Sequence, residues 1–331
     1  MTAAPLLALC ISAAAVWLLV RAAARLPHAQ PSARSLHEAP VPRVGGLAIW
    51  AGVVPALAIA RPAPGLDTPA AVALYAGTAA IALVSLLDDW RGVPTMVRLA
   101  VHAGAAAAFA IALDRGVPAS VPLILATALS LVWVANLYNF MDGSDGIAGV
   151  MTLCGFAAYG AAATINGLSG TVYFCVAAAT LPFLVVNVPP ARMFLGDVGA
   201  VPLGFLAAAF GLAGIRGGAW PAWLPWLVFL PFVADATVTL ATRLARGERV
   251  WEAHKSHYYQ RLHQMGAGHR GTAAVYGALA LGTALTAVLC VAWTPGAGWV
   301  AVATWIAVHA MLFATIDYHW RRRTRDKRKS G

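Results

Sequence analysis

The sequence predicts an all-α, polytopic membrane helix bundle, and two observations carry that prediction. Hydrophobic residues make up 60% of the chain and charged residues only 11%, whereas soluble domains contain about 25% charged residues. The apolar residues also form about 11 stretches, each near the ~20 residues that a transmembrane helix needs. They lie near residues 3–22, 45–61, 69–87, 95–113, 118–135, 147–165, 169–188, 198–215, 221–242, 272–293 and 297–317.

The distribution of basic residues predicts the orientation of these spans. An odd number of crossings places the two termini on opposite sides of the membrane. An outside amino terminus leaves only Arg61, Arg115 and Arg216, of the 23 Lys and Arg residues, outside. Basic residues concentrate in the cytoplasmic loops of membrane proteins. We therefore expect the carboxyl terminus, and every loop with unusual polar residues, on the cytoplasmic face.

We expect one transmembrane domain over residues 1–318 and a basic tail over residues 319–331. No basic region precedes the first apolar stretch, so we interpret that stretch as a retained span and not as a cleaved signal peptide. The tail contains RRRTRDKRK, and the net charge of the chain is +10. Directly beside a span, such a cluster favours membrane lipid headgroups over nucleic acid as its partner.

The stretch from Asn136 to Val150 is the most polar segment close to the predicted spans. Asn136, Asn139, Asp142 and Asp145 recur at three-residue intervals, interrupted by glycines. Oxygen-bearing side chains beside flexible backbone suit a phosphate group or a hard cation. The alternative is a hydrated loop with Asx-Gly turns.

Three further carboxylates are expected at the same face. Asp88 and Asp89 end the third span, and adjacent carboxylates repel each other unless a cation or a proton separates them. They are candidates for metal binding, general base or nucleophile, or else they begin a solvated loop. Asp197 lies in the turn FLGDVG between two glycines. Together these acids indicate a divalent cation of the magnesium type.

The last long loop combines histidines with cations. It contains His254, Lys255, His257 and Arg261 but neither cysteine partners nor an HExxH pattern, so zinc is not indicated. The mixture suits a clamp on a diphosphate. The alternative is a basic loop with incidental histidines.

Acids that bind magnesium, cations that bind phosphate and a membrane setting together indicate phosphoryl chemistry on a lipid phosphate. The competing hypothesis is a polytopic transporter that uses intramembrane carboxylates. Asp235 is the one acid in the interior of a predicted span, and it could serve such a path. A single acid near one helix end fits the wall of a site better.

The chain resembles the polyprenyl-phosphate N-acetylhexosamine-1-phosphate transferases, of the glycosyltransferase family 4 type, from about residue 30 to residue 275. The resemblance rests on four ordered motifs besides the histidine loop. These are His-x-x-Pro-x-Pro-Arg-x-Gly-Gly with His37 and Arg43, the pair Asp88 and Asp89, N-x-x-N-x-x-D-G-x-D-G with Asn136, Asn139, Asp142 and Asp145, and F-x-G-D-x-G with Asp197.

The resemblance implies transfer of an N-acetylated sugar 1-phosphate from a UDP-sugar to undecaprenyl phosphate, with release of UMP. It implies a bacterial inner membrane protein with a periplasmic amino terminus, a cytoplasmic active site and Mg2+ as cofactor, Mn2+ being the alternative. The implied catalytic residues are Asp88, Asp89 and His257, and the implied metal-binding residues are Asp197, Asn139 and Asp142. The implied substrate-binding residues are His37, Arg43, Asn136, Asp145, Lys255 and Arg261. A homodimer is an open alternative.

The histidine loop departs from the family pattern. The family reads Asp-Arg-x-His-x-His-His-Arg-Leu, whereas this chain has Tyr259 and Gln260 where the later histidines would stand. The altered loop is similar to the branch that starts O-antigen or related surface glycans. The identity of the sugar, among UDP-GlcNAc, UDP-GalNAc, UDP-FucNAc and UDP-QuiNAc, stays open. So does the choice between a direct route and a covalent aspartyl intermediate.

Overall fold

The computed structural model describes residues 3–23, 28–29, 41–114, 120–250, 252 and 254–330. Its helices are α1 Ala3–Arg21, α2 Gly45–Leu57, α3 Thr68–Arg91, α4 Thr95–Leu113, α5 Val121–Met141, α6 Ile147–Ile165, α7 Thr171–Asn187, α8 Asp197–Arg216, α9 Trp223–Val228, α10 Leu230–Ala245, α11 Tyr258–Leu262, α12 Gly268–Trp293 and α13 Gly298–Ser330. A π-helical turn, His263–Ala267, joins α11 to α12, and a short pair of strands, β1 His28–Ala29 and β2 Val41–Pro42, precedes α2.

The prediction of an all-α polytopic membrane bundle is confirmed. Within the described residues, eight helical segments are long and apolar enough to cross a membrane, and α2 and α7 are shorter apolar helices. The predicted span at 221–242 is the exception, because two helices, α9 and α10, occupy it. Pro231 stands in the first turn of α10, where its missing N–H is not needed. The orientation in the membrane stays a prediction.

Helix α5 extends further than the hydropathy predicts. The predicted span ends at residue 135, but the helix continues to Met141 and Asp142 caps it. Asn136 and Asn139 therefore lie on the last two turns of a helix and not in a loop. The apolar stretch ends where the side chains become polar, whereas the backbone continues to form helical hydrogen bonds.

Helix α8 is the central helix of the bundle, and 83% of its most apolar stretch is buried. It packs against α3 and α5 through small residues. A Cβ on Gly204 would lie 2.6 Å from Tyr138 Cβ of α5, so only glycine permits this approach. The first residue of α8, Asp197, is consequently placed between the carboxyl end of α3 and the carboxyl end of α5.

The segment before α2 is hydrogen-bonded to the turn before α8. The N–H of Phe194 donates to Pro42 O (2.8 Å), and the N–H groups of Gly45 and Gly46 donate to Phe194 O (2.9 Å) and Leu195 O (2.8 Å). A Cβ on Gly46 would lie 2.5 Å from the Cα of Gly199. Glycine at position 46 thus allows the two backbones to touch, and Arg43 is held beside Asp197.

Candidate active site at the ends of α3, α5 and α8

Asp197, at the start of α8, contacts residues of both α4 and α5. The Asn139 Nδ2 atom, from α5, lies 3.5 Å from Asp197 Oδ2. Arg98, from α4, places its Nη1 atom 3.7 Å from the same oxygen and forms an ion pair with Asp88 of α3. The structure therefore brings together an acid pair, an amide and a third acid from three separate segments, the amide being 58 residues from the third acid.

The two adjacent acids of α3 point to different partners. Asp88 accepts a hydrogen bond from the N–H of Val93 (2.7 Å) besides its pair with Arg98. Asp89 Oδ2 lies 3.4 Å from the backbone nitrogen of Val198, in the first turn of α8. The positive end of the α8 dipole favours a negative charge there. Asp89 is thus the member of the pair directed to the start of α8.

Gly196 permits this convergence. It adopts φ +74°, and a Cβ would lie 2.7 Å from Arg43 O and 3.2 Å from Asp89 Oδ2. Any larger side chain would separate α3 from the turn that carries Asp197.

Asp142 belongs to the same electrostatic environment. Burial, and next the carboxylate of Asp197, raise the pKa of Asp142 well above its usual range, whereas the Arg43 guanidinium opposes that rise. A carboxyl group whose pKa rises because other carboxylates are near is typical of a site that a cation would neutralise. Asp142 and Arg43 therefore face the cluster formed by Asp89 and Asp197.

Asp145 and Asn136 have other partners. Asp145 Oδ2 accepts from the N–H of Ala191 (2.9 Å), and Asp145 Oδ1 lies 3.6 Å from His269 Nδ1. Asp145 thereby supports the segment that leads to Asp197. Asn136 Nδ2 donates to Val132 O within its own helix (2.7 Å). The structure places both residues in the same region, but these contacts direct them to the scaffold.

The histidine loop is organised around Asp235. This carboxylate is fully buried and accepts from the N–H groups of Tyr258 and Tyr259 (2.9 Å each), from the Tyr276 hydroxyl and from Thr239 Oγ1 (3.1 Å). The nearest nitrogen of His257, Nδ1, lies 3.3 Å from Asp235 Oδ1. Asp235 thus holds the loop in place, as expected for a wall of the site.

The histidine loop lies against the end of α5. The Tyr259 hydroxyl donates to Phe140 O (3.0 Å), and the ring of His257 stacks on the ring of Phe140 with centroids 6.2 Å apart. Gln260 Oε1 accepts from the N–H of His257 (3.2 Å). Tyr259 and Gln260, which depart from the family pattern, therefore position His257 one residue from Asn139.

Arg261 of the histidine loop pairs with an acid outside the cluster of Asp89 and Asp197. Arg261 pairs with Asp317 of α13 at 2.6 Å and is buried. Lys255 is half-buried, and its backbone oxygen accepts from Gln264 Nε2 (3.0 Å). The structure thus directs Arg261 to the last helix, away from the expected diphosphate. His37 lies outside the described residues.

His254 does not carry the positive charge that a phosphate-binding residue would supply. Burial, and next His257, Arg243 and Arg261, lower the pKa of His254 to about 4. Its Nδ1 atom lies 2.8 Å from Ser256 Oγ. At neutral pH the ring is uncharged, so it contributes a hydrogen bond to the loop and no positive charge to a ligand.

A comparison with known sequences finds a similarity to one family. A profile described as glycosyl transferase family 4 matches residues 71–215. This match runs from α3 to α8 and contains Asp88, Asp89, Asn139 and Asp197. Over this segment the chain is similar to glycosyl transferase family 4.

Several known proteins with related names are similar to this chain. The chain is 28% identical over 260 residues to the probable undecaprenyl-phosphate N-acetylglucosaminyl 1-phosphate transferase of Bacillus subtilis (strain 168), covering 73% of this chain and 71% of that protein. It is 28% identical over 290 residues to the decaprenyl-phosphate N-acetylglucosaminephosphotransferase of Mycobacterium leprae (strain TN), with 73% and 71% covered. It is 34% identical over 208 residues to the phospho-N-acetylmuramoyl-pentapeptide-transferase of Moorella thermoacetica, with 54% and 62% covered.

The donor atoms of this site suit a hard cation, although they do not surround one completely. Among the residues that the structure describes, no three His, Cys, Asp or Glu side chains are grouped to hold a metal ion. Magnesium takes one or two carboxylates and completes its octahedron with water and substrate phosphate oxygens. The carboxylate of Asp197 meets that smaller requirement, and Asp142, whose pKa is raised by burial and by Asp197, belongs to the same cluster of acids.

Arg98 is the residue that sequence reasoning missed. It contacts both Asp88 and Asp197, yet it lies in the first turns of α4 and in none of the motifs. Its signal in the sequence was the presence of a cation inside an otherwise apolar span. A charge in such a place is costly unless it is paired, so it points to a nearby acid.

Proposed function

We propose that this chain transfers an N-acetylated sugar 1-phosphate from a UDP-sugar to undecaprenyl phosphate. A phosphate oxygen of the lipid bonds to the β-phosphorus of the UDP-sugar. The bond from that phosphorus to the oxygen bridging the two phosphates breaks, and UMP leaves with the electron pair. The products are undecaprenyl-diphosphate sugar and UMP.

The convergence of Asp89, Asn139 and Asp197 carries this proposal. Two anionic substrates must meet for the reaction, and their charges repel. The Asn139 amide and the Val198 N–H group supply donors close to the acids, and Arg43 and Arg98 supply positive charge. Phosphoryl transfer depends mainly on such positioning and charge stabilisation. The names of the relatives support the same substrate classes.

We infer Mg2+ as the cofactor, with Mn2+ as the alternative. Asp197, Asn139 and Asp142 would hold it, because carboxylate and amide oxygens are hard ligands and the side chains of Asn139 and Asp197 are in contact. When bound, such an ion neutralises charge on the diphosphate and withdraws electrons from the phosphorus.

The remaining residues have separate roles in this proposal. Asp89, directed to the start of α8, accepts the proton of a monoprotonated lipid phosphate. Asp88 is fixed by Arg98 and Val93 and keeps Arg98 in position. His257, held by Asp235, presents its outer ring edge to the diphosphate. Arg43 contributes positive charge beside the acids.

The proposed pathway is the initiation of a lipid-linked surface glycan, O-antigen or cell wall, at the cytoplasmic face of the inner membrane. Relatives of this chain are named for N-acetylglucosaminyl transfer, so UDP-GlcNAc is the first donor to test. The altered histidine loop makes UDP-FucNAc and UDP-QuiNAc the informative comparisons.

The test offers each UDP-sugar, with undecaprenyl phosphate, to the purified protein in nanodiscs. UMP release and the mass of the lipid product are followed together. The proposal expects UMP to appear one-for-one with a lipid diphosphate sugar. Movement of UDP-sugar into sealed vesicles without UMP release would favour the transporter hypothesis instead. UMP release without lipid acceptor would point to a covalent aspartyl intermediate.

A further inference from the structure

The last helix is longer than a membrane crossing requires. Helix α13 contains 33 residues, which corresponds to about 50 Å, compared with ~30 Å of hydrocarbon. Its final turns carry Arg321, Arg322 and Arg325, whose side chains are all exposed. The helix therefore has a basic end beyond its apolar part, and we call these three arginines the basic end.

The same part of α13 holds the histidine loop. The ring of Tyr258 stacks on Phe313, with centroids 3.9 Å apart and planes inclined by 12°. Asp317 pairs with Arg261 at 2.6 Å and accepts from the Tyr258 hydroxyl at 3.4 Å. Tyr258, Phe313 and Arg261 are buried, Asp317 is partly exposed, and Tyr258 directly follows His257. A displacement of this part of α13 would therefore displace the histidine loop.

The residues of α13 that contact the loop share one face of the helix, and exposed arginines lie on other faces. Phe313, Asp317 and Trp320 follow the spacing of one helix face, and the Arg261 guanidinium lies 6.0 Å from the Trp320 ring. Arg323 donates to the backbone oxygen of Gln264, within the π-helical turn after the loop. Arg322 and Arg325 fall on other faces. One face of α13 thus binds protein while the rest presents positive charge.

We propose that the basic end of α13 binds anionic phospholipid headgroups and that this binding stabilises the histidine loop. Positive side chains next to a span are attracted to anionic lipids at the adjoining surface. Lipid bound there restrains α13, and the Phe313 and Asp317 contacts pass that restraint to Tyr258 and Arg261. A rigid, continuous helix between the two sets of contacts is the physical basis of the coupling. This inference does not rest on the proposed reaction.

Hydrogen exchange of the loop amides tests the proposal. The full chain is compared in nanodiscs of phosphatidylcholine alone and in nanodiscs that also contain phosphatidylglycerol. We expect exchange over residues 254–264 to slow by roughly tenfold with the anionic lipid, since three arginines each contribute to the attraction. The triple variant R321Q/R322Q/R325Q should lose this slowing. The matched control R192Q/R246Q/R270Q, which removes three exposed arginines from other segments, should keep it.

A second variant separates binding from coupling. D317N removes the charge that pairs with Arg261 but leaves the basic end intact. It should keep its enrichment in phosphatidylglycerol, measured by mass spectrometry of co-purified lipid, and lose the slowing. Equal loop exchange in both nanodiscs for the unmodified chain would overturn the proposal. Equal slowing by soluble polyphosphate in neutral nanodiscs would also overturn it, because the surface would then recognise any polyanion.

Discussion

Asp235 Oδ1 lies 3.3 Å from the Nδ1 atom of His257, and both side chains are buried. The other hydrogen bonds of this carboxylate come from the backbone on the carboxyl side of His257, from Tyr276 and from Thr239. One buried anion therefore fixes the ring of the histidine that we expect to contact substrate and also the backbone of the two residues that follow it.

We expect D235N to lower kcat by at least about tenfold, because an amide nitrogen would face donors that now bind a carboxylate and would leave them unpaired. The measurement is UMP release together with hydrogen exchange over residues 254–264. Y276F removes one donor and keeps the ring, so it should cost much less. An unchanged kcat in D235N would show that His257 does not need this partner.

D197N should abolish UMP release even at high magnesium, since Asp197 is the acid next to both Asn139 and Arg98. The control is D114N, which alters an acid paired with Arg216 at 3.1 Å, outside the cluster. It should keep most of the activity. Substantial turnover by D197N would remove Asp197 from the proposed metal site.

Arg98 should tolerate only a positive replacement. R98Q would leave Asp88 and Asp197 without the shared cation, and we expect its kcat/KM to fall by about 10- to 100-fold, a cost of a few kcal/mol. R98K should recover part of the loss, although lysine cannot reproduce the fork of the guanidinium. Equal activity of R98Q and R98K would contradict an electrostatic role.

His254 should make the protein less stable in mild acid. Its pKa is about 4 in the folded protein and near 6.5 when unfolded, so the unfolded state binds more protons between these values. Stability therefore falls as the pH drops from about 6.5 towards 4. H254Q should show a smaller decrease in thermal midpoint over that range. H319Q, which changes an exposed histidine at the end of α13, is the control.

G46A should destabilise the bundle by about 1–3 kcal/mol through overpacking, because its Cβ would lie 2.5 Å from Gly199 Cα. G104A is the matched control, since a Cβ there meets no atom within 4 Å. It replaces a helical glycine and should be neutral or stabilising. The thermal midpoint of the purified protein measures both. A G46A midpoint equal to that of G104A would refute the close approach of α2 and α8.

The sequence was informative about the helices because their apolar stretches are separated by polar breaks, and all of these stretches coincide with a helix or a helix pair. It was less informative about helix ends. Asn136 and Asn139 reduce the local hydropathy without ending α5, so the span appeared six residues too short. Backbone hydrogen bonding, which hydropathy does not measure, decides where a helix ends.

The motifs indicated which residues come together but not which way each side chain points. Asp89, Asn139 and Asp197 do converge. Arg261 carries the positive charge expected of a residue that binds phosphate. Its partner is nevertheless Asp317, an acid in a helix for which no site was predicted. Asp235 was interpreted as part of a wall, and only the three-dimensional structure shows its hydrogen bonds to the loop. Such pairings depend on contacts between distant segments.

The ion pair between Arg98 and Asp88 also bears on how the protein is made. During synthesis Asp88 and Arg98 emerge ten residues apart, so their opposite charges can meet as soon as α3 and α4 associate. Asp197 emerges much later, when α8 enters between helices that are already present. Asp197 then approaches Asp88 when the charge of Asp88 is already balanced by Arg98. The electrostatic repulsion that would oppose the insertion of α8 is therefore reduced in advance.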